Sequence, residues 1–353
     1  MITSATDFDL RPRNTFRIQC HARQWIEFSA CDDIPAVASQ LSVASGSTLI
    51  IGAGSDILFT LPEFPGTVAH SAIMTLDMTP LGNNTVRITA GSGITMDDLV
   101  ERTCRAGLWG MENLSGIPGE VGASAVQNVG AYGCEAADLI ESVTAFDTRL
   151  HRFVTLSGSD CRFAYRDSIF KHPDTKGRYI IALVTYLVSS APSPRLDYGN
   201  LAAAFTDTSA LTPSDVRRVV MATRDRKLPD PALTGSAGSY FTNPIVATGV
   251  YDDVVEKAHA MWGPDTEVPR YILPDGMVKI PAAWLIDRAG LKGVRSGGAG
   301  TWPTQPLVIA NMSGDCTASD ILTLERRISD TVFNLFGIRL GLEVEKAPAE
   351  PSL

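Results

Sequence analysis

Two glycine-rich stretches of this chain offer bare backbone amides to a ligand. From Gly107 to Gly133 it reads GLWGMENLSGIPGEVGASAVQNVGAYG, with small polar residues and Gln127-Asn128 set among the glycines. Glycine loses the most backbone entropy on ordering, so this density disfavours a helix or strand interior. It suits a chain that turns sharply and approaches a ligand with no Cβ in the way. Trp109, Leu114, Ile117, Pro118, Val121, Val126 and Tyr132 would anchor such a loop, whereas a flexible linker lacks such residues. Upstream, Thr48-Leu49-Ile50-Ile51 reads as a buried strand running into Gly52-Ala53-Gly54-Ser55-Asp56-Ile57-Leu58. Amides of that turn can form a concave anion site, and Ser55 adds a hydroxyl donor. Ile57 stands where a dinucleotide fingerprint has its third glycine, and no Gly-Lys-Ser/Thr follows to make a P-loop. Two phosphate-friendly loops, about sixty residues apart, point to a large cofactor held from two sides.

Three polar segments could add side-chain chemistry. Phe163-Ala164-Tyr165-Arg166-Asp167-Ser168-Ile169-Phe170-Lys171 places one acid and two bases among three aromatics, which by residue type alone reads as a surface turn with local salt bridges. Gly238-Ser239-Tyr240-Phe241-Thr242-Asn243-Pro244 reads as an Asn-Pro turn after a short strand. Leu342-Glu343-Val344-Glu345 alternates, so both glutamates would share one solvated face of an extended segment. No serine sits in a nucleophile elbow with a histidine to serve it, so hydrolase chemistry gains no support.

The elements that must position these groups are partly legible. Val86–Ala90 alternates as a strand, and Thr95 then caps a helix from about Met96 to Ala106, with Asp98 in its first turn and Gly107 as its stop. Val143–Phe146 and Tyr179–Val188 read as strands of a mainly antiparallel sheet. Thr212-Pro213 opens a helix to about Arg226, and Leu228-Pro229-Asp230-Pro231 marks a domain boundary. Beyond it lie a helix near Ala282–Ala289 closed by Gly290, a strand at Leu307–Ile309, and a helix from Ser319 to about Phe336. That last helix sets Ile321, Leu324, Ile328, Val332 and Leu335 on one face.

A chain of 353 residues implies two or three domains. Its 44% hydrophobic and 20% charged content is that of a soluble globular enzyme. A net charge of −9 with no basic stripe argues against nucleic-acid binding. The acidic N-terminal segment has no apolar core of a secretory signal, and no run reaches membrane-spanning length. Six scattered cysteines read as reduced thiols of a cytoplasmic protein, and neither they nor the five histidines show metal spacing, so no metal is expected.

These segments, in this order, resemble the UDP-N-acetylenolpyruvoylglucosamine reductase family over nearly the whole chain. Asn14-Thr15-Phe16 resembles its opening motif, Ile51–Phe59 its first flavin loop, ENLSGIPGEVGASAVQNVGAYG its second, and YRDSIFK its arginine motif. KLPDP, GSYFTNP, AAWLIDRAGLKG and LEVE follow at the expected intervals. Leu196-Asp197-Tyr198-Gly199-Asn200-Leu201 is similar to a substrate-covering tyrosine loop of one subtype. Departures are Ala53, Val126, Trp302 where a histidine is frequent, and Lys346 where an apolar residue is usual.

The resemblance implies an α+β fold: a two-domain FAD-binding unit of the vanillyl-alcohol-oxidase/p-cresol-methylhydroxylase type, residues 1–70 and 71–227, and a C-terminal α/β substrate domain, residues 228–353. It implies NADPH-dependent reduction of UDP-N-acetylglucosamine enolpyruvate to UDP-N-acetylmuramate through FAD. The first loop holds no histidine, which agrees with non-covalent FAD. Carried over residue by residue, the flavin would meet Gly52, Ala53, Gly54, Ser55, Asp56, Ser115, Gly116, Ile117, Pro118, Gly119, Gly122, Ser124, Gln127 and Asn128. Tyr165, Tyr198, Lys227, Asn243 and Gln305 would meet the substrate. Arg166 would hold its carboxylate, Glu345 would complete the polarisation, and Ser239 would give a proton to C2. With no separate fingerprint for NADPH, reductant and substrate would take turns in one site of a monomer. Two rivals are another oxidase of the same flavin fold, which a tethering histidine would favour, and a non-catalytic nucleotide-binding protein, which has no need of a proton donor at Ser239.

Overall fold

The computed structural model describes residues 1–44, 46–199 and 201–348. Its helices are α1 (Ile34–Val43), α2 (Met96–Arg105), α3 (Val121–Gln127), α4 (Pro213–Lys227), α5 (Thr248–Trp262), α6 (Ala282–Arg288) and α7 (Ala318–Phe336). The chain forms two compact units: Met1–Asp9, His21–Gly54 and Glu63–Asp225 make one, and Leu10–Cys20, Ser55–Pro62 and the chain from Arg226 onward make the other.

The first unit holds two sheets. One has the order Ile2–Asp9, His21–Phe28, Glu63–Ser71, Ser47–Ile51, with the first pair antiparallel and the other two parallel. Helix α1 lays Ile34, Val37 and Ala38 on this sheet, against Ile26, Phe28 and Ala69. The other is a five-stranded antiparallel sheet in the order Arg152–Ser157, Ile140–Asp147, Tyr179–Ser189, Thr85–Gly91, Leu76–Gly82. Leu99, Val100 and Cys104 of α2 and Val121 and Ala125 of α3 share its core with Ile88, Val143, Val184 and Tyr186. The start of α2 is as the sequence predicts: the Asp98 amide donates to Thr95 Oγ1 at 3.2 Å, and Gly107 has φ +72°.

The second unit centres on an antiparallel sheet, Gly235–Ser239, Gln305–Asn311, Ala299–Trp302, Arg295–Ser296. Helix α7 buries Ile321, Leu324, Ile328 and Val332 in the unit's core, and Leu335 packs against that core half-buried. Phe16, Ile18 and Leu58 join the same core. That burial explains why residues 10–20 and 55–62 belong here although the sequence reading sets them within residues 1–70. The opening motif acts as a pin: Asn14 Nδ2 donates to the Leu10 and Ile18 carbonyls at 2.7 and 3.0 Å, and Asn311 Nδ2 donates to the Phe16 carbonyl at 3.1 Å.

The structure differs from the sequence reading inside the glycine-rich stretch. Residues 121–127 form a helix, α3, where glycine density predicts only a loop. The reason is a contact distant in sequence. A Cβ on Gly122 would lie 2.8 Å from the Ser92 Cβ, so this glycine lets a helix press on a neighbouring turn. Among the described residues no helix is long and apolar enough to cross a membrane, and no group of three or more His, Cys, Asp or Glu could hold a metal ion. The cysteines are free, and burial pushes the thiols of Cys104, Cys134, Cys161 and Cys316 up to about 12, which leaves them poor nucleophiles.

Candidate functional site: two glycine loops and three polar segments

Gly52 to Gly54 of the first loop lie with the second loop in the first unit, and the rest of the first loop, from Ser55, lies in the second unit. Strand Ser47–Ile51 delivers Gly52 against the start of α3, where an added Cβ would lie 3.1 Å from the Ala123 Cβ and 3.2 Å from Glu120 Oε2. The Gly122 amide donates to the Ser92 carbonyl at 3.0 Å, Val121 to Ile94 at 2.8 Å, and Met96 to Gly119 at 2.9 Å. Gly54, Gly116 and Gly119 have φ +64°, +70° and +114°, conformations that a side chain would strain. The start of α3 thus packs directly on the main chain of the first loop at Gly52.

Second-loop side chains mostly hold the loop itself. Ser115 Oγ donates to the Glu112 carbonyl at 2.6 Å, and Ser124 Oγ to that of Val121 at 2.7 Å. Ile117 is half-buried and Pro118 exposed. The Gly116 amide donates to Asp97 Oδ1 at 2.6 Å, and Arg217 grips the same carboxylate with two bonds of 2.5 and 2.9 Å. Burial pushes the Asp97 carboxyl up, but the Arg217 guanidinium and the Gly116 amide outweigh it and hold the group below the ordinary range. This tie is therefore complete above the ordinary carboxylate pKa and is lost as pH falls through the lowered one. In the first loop, Ser55 accepts from Thr15 Oγ1 through its carbonyl at 3.2 Å, and the Asp56 carbonyl accepts from the Glu345 amide at 2.9 Å. Ala53 is half-buried.

The arginine segment folds onto the end of α3. Asn128 caps that helix in a left-handed conformation, φ +44°, and its Nδ2 donates to the Ala164 carbonyl and to Glu135 Oε2, both at 2.9 Å. Fully buried Ser168 donates to the Val126 carbonyl at 2.6 Å. Lys171 Nζ donates to Gln127 Oε1 and, at 3.0 Å, to the Arg166 carbonyl. Arg166 has φ +55°, donates to the Gly130 carbonyl at 3.0 Å and lies 5.2 Å from the centre of the Tyr165 ring. A surface turn closed by its own ion pairs does not describe this. The turn is latched to the second glycine loop at four points, which fixes the guanidinium beside that loop.

In the second unit, Ser239 ends strand Gly235–Ser239, opposite Val308, and follows Gly238 at φ +69°. The next residues pair with the glutamate segment: Phe241 bridges Leu342, the Glu343 amide donates to the Tyr240 carbonyl at 3.0 Å, and that of Thr242 to Gly341 at 2.9 Å. Past Val344 the chain turns to pair Glu345–Ala347 in parallel with Ile57–Phe59. The two glutamates thus lie on two different pairings rather than one strand face. Sequence alternation could not show this, because the bend at Glu343-Val344 has no glycine or proline to mark it.

Residues 230–347 match the UDP-N-acetylenolpyruvoylglucosamine reductase C-terminal domain, and residues 28–149 match an FAD binding domain. The UDP-N-acetylenolpyruvoylglucosamine reductase of Neisseria gonorrhoeae is 41% identical over 348 residues, 98% of each chain. That of Chromobacterium violaceum is 39% identical over 340 residues, 96% of this chain and 97% of its own. The chain belongs to the UDP-N-acetylenolpyruvoylglucosamine reductase family. A crystal structure of the reductase from Thermus caldophilus shares the fold, with a TM-score of 0.68 at 23% identity over 99% of both chains.

The residues present fit the flavin that an FAD-binding reductase holds. Glu112 Oε1 and Asn113 Oδ1 are the buried side-chain oxygens without a hydrogen-bond partner among the described residues. Burial raises the Glu112 carboxyl above its ordinary range. Asn113 Nδ2 is held by the Tyr132 and Arg195 carbonyls at 2.8 and 2.9 Å, so its free oxygen is an oriented acceptor. Sequence reading missed both, although a Glu-Asn pair inside a glycine-rich stretch was the signal.

The reductase substrate candidates are more scattered. Tyr198 is exposed, edge-on to Tyr132 at 6.2 Å, and Asn200 of its loop lies outside the described residues. Asn243 Oδ1 accepts from the Ala282 amide at 2.9 Å and so fixes the start of α6. Gln305 pairs with Trp302 across a turn, and Lys227 is exposed at the end of α4. Gly122→Val tests the reductase loops directly. Its side chain would collide with Ser92, so the variant should purify with most of its flavin missing, read from the flavin-to-protein absorbance ratio. Full occupancy would mean the contact with Ser92 can relax without disturbing the cradle.

Proposed function

We propose that this chain reduces UDP-N-acetylglucosamine enolpyruvate to UDP-N-acetylmuramate, as an FAD-dependent UDP-N-acetylmuramate dehydrogenase of peptidoglycan precursor synthesis. NADPH is the reductant, and it and the substrate use one site in turn. The enzyme works as a cytoplasmic monomer, with FAD-binding subdomains at 1–70 and 71–227, less Leu10–Cys20 and Ser55–Pro62, which pack with the substrate domain from 228. Bound FAD would supply the hydride chemistry, and Gly52, Ala53, Gly54, Ser55, Asp56, Ser115, Gly116, Ile117, Pro118, Gly119, Gly122, Ser124, Gln127 and Asn128 would hold it non-covalently.

The protein's own task is to stabilise charge and deliver a proton. Arg166, always cationic and planar, binds the enolpyruvyl carboxylate and stabilises the charge that develops there. Ser239 gives its hydroxyl proton to C2; an alcohol is a weak acid, but an enolate-like centre is basic enough to take it. Glu345 completes the polarisation of the carboxylate. Tyr165, Tyr198, Lys227, Asn243 and Gln305 contact the rest of the substrate. The observation that supports this reading is the pairing of the segment after Ser239 with the glutamate segment, which brings the backbones of the two segments side by side.

That same observation favours a second assignment of the carboxylate. Glu343 is bonded through its amide to Tyr240, the residue after Ser239, whereas the Glu345 amide is bonded to Asp56 of the first loop. On this assignment Glu343 acts with Ser239, and Glu345 secures the loop. Stopped-flow absorbance of both half-reactions decides it. Wild-type flavin should bleach with NADPH and recover quickly with the enolpyruvyl substrate; recovery no faster than in buffer would refute the reductase reading. Of Glu343→Gln and Glu345→Gln, the variant with recovery slowed about 100-fold or more marks the working carboxylate.

A further inference from the structure

Tyr240, Glu325 and Lys346 form a buried polar chain in the second unit that none of these roles uses. Tyr240 Oη donates to Glu325 Oε2 at 2.5 Å, and Lys346 Nζ donates to Oε1 at 3.0 Å. Tyr240 is fully buried and Glu325 is 9% exposed, in the middle of the α7 face that carries Leu324 and Ile328 into the core. A charge in such a place is tolerated only when it is paired and hydrogen-bonded, and both carboxylate oxygens are engaged here. The partners are placed with consequence. Tyr240 directly follows Ser239, and Lys346 directly follows Glu345, three residues after Glu343.

The geometry points to Glu325 as a positioning residue that ties the proton-donor segment to the glutamate segment, so that both are held by one carboxylate on one rigid helix. This rests on the reading of Ser239 as proton donor. Apolar side chains of similar size would fill the same space, often with equal or greater stability. What they lack is direction: a hydrogen bond fixes distance and angle, and a shift of about 1 Å at a reacting group can cost ~100-fold in rate. The three polar groups therefore hold register rather than add stability.

The test compares wild type, Glu325→Gln, Tyr240→Phe and the triple variant Tyr240→Phe/Glu325→Leu/Lys346→Met. For each, the melting temperature without flavin, the rate of flavin reduction by NADPH and the rate of recovery with the enolpyruvyl substrate are measured. Glu325→Gln takes the negative charge from beside the Lys346 ammonium, so it should melt earlier and recover about tenfold more slowly or worse, with NADPH reduction unchanged. The triple variant should melt at or above the wild-type temperature and still recover slowly. Tyr240→Phe keeps the Glu325–Lys346 pair but leaves Glu325 Oε2 without its donor, so it should slow recovery at a modest cost in stability, which keeps the test decisive if the triple variant does not fold. Wild-type recovery in either the triple variant or Tyr240→Phe would overturn the inference and leave the trio a space-filling feature. Failure of the wild-type enzyme to recover with substrate would instead remove the reading of Ser239, and the inference with it.

Discussion

Arg166→Lys should lower turnover by roughly two or more orders of magnitude, the scale of removing an oxyanion stabiliser. The substitution keeps a positive charge, so the loss would come from shape. A guanidinium is a planar fork that can bond to a main-chain carbonyl with one edge and to a carboxylate with another, whereas an ammonium is a point charge on a flexible stem. Arg166 uses this capacity, with one arm on the Gly130 carbonyl at 3.0 Å while its face rests near Tyr165. Its left-handed backbone, φ +55°, is sustained by the bonds of Ser168, Lys171 and Asn128 around it, none of which the substitution removes. The turn should therefore keep its conformation while the cation loses its anchor. Because the anchor lies on the second glycine loop, flavin affinity must be measured beside the two half-reactions. Unchanged affinity and NADPH reduction with collapsed recovery assign Arg166 to the substrate. Equal slowing of both half-reactions, or loss of flavin, would assign it to the loop.

Local rules made some of this protein legible from its sequence. Thr95 and Asp98 announced α2, and the apolar face from Ile321 to Val332 announced α7, because a cap and a 3.6-residue period are written within a few neighbouring residues. The glycine loops were legible as loops that approach something, but α3 was not. Its glycine answers to Ser92, about thirty residues away, a contact that no local rule can report. The assignment of Leu10–Cys20 and Ser55–Pro62 to the C-terminal unit was hidden for the same reason: Phe16 and Leu58 are core residues of a unit built mainly from residues beyond 226. Resemblance brought the arginine, serine and glutamate segments to notice, yet it could not separate Glu343 from Glu345. Two residues along an alternating tetrapeptide look alike in sequence, and only the bend between them assigns each to a different neighbour. Lys346 stood out as a charged residue at a usually apolar place, but its partner Glu325 lies on a distant helix, where a lone glutamate reads as surface.

Ser239→Ala should separate the two halves of catalysis. Its backbone is fixed independently of the hydroxyl: Ser239 sits opposite Val308, the Tyr240 amide donates to the Leu307 carbonyl at 2.8 Å, and Phe241 bridges Leu342. Removing one oxygen from this half-buried position should leave the fold, the flavin and the rate of reduction by NADPH near those of wild type. Recovery of the oxidised flavin with the enolpyruvyl substrate should fall by about 10²–10⁴-fold, the usual contribution of a positioned general acid. Water is a poor substitute, since it would need its own place between the donor position and C2. Ser239→Cys should recover part of the rate, because a thiol also donates a proton. It should do so imperfectly, since the larger sulfur shifts the donor from a position that the strand and the Tyr240–Glu325 bond define. Stopped-flow absorbance reads both half-reactions in the same samples. If Ser239→Ala recovered as fast as wild type, the proton would have to reach C2 from another group, and Ser239 would be only the last residue of a strand before an Asn-Pro turn.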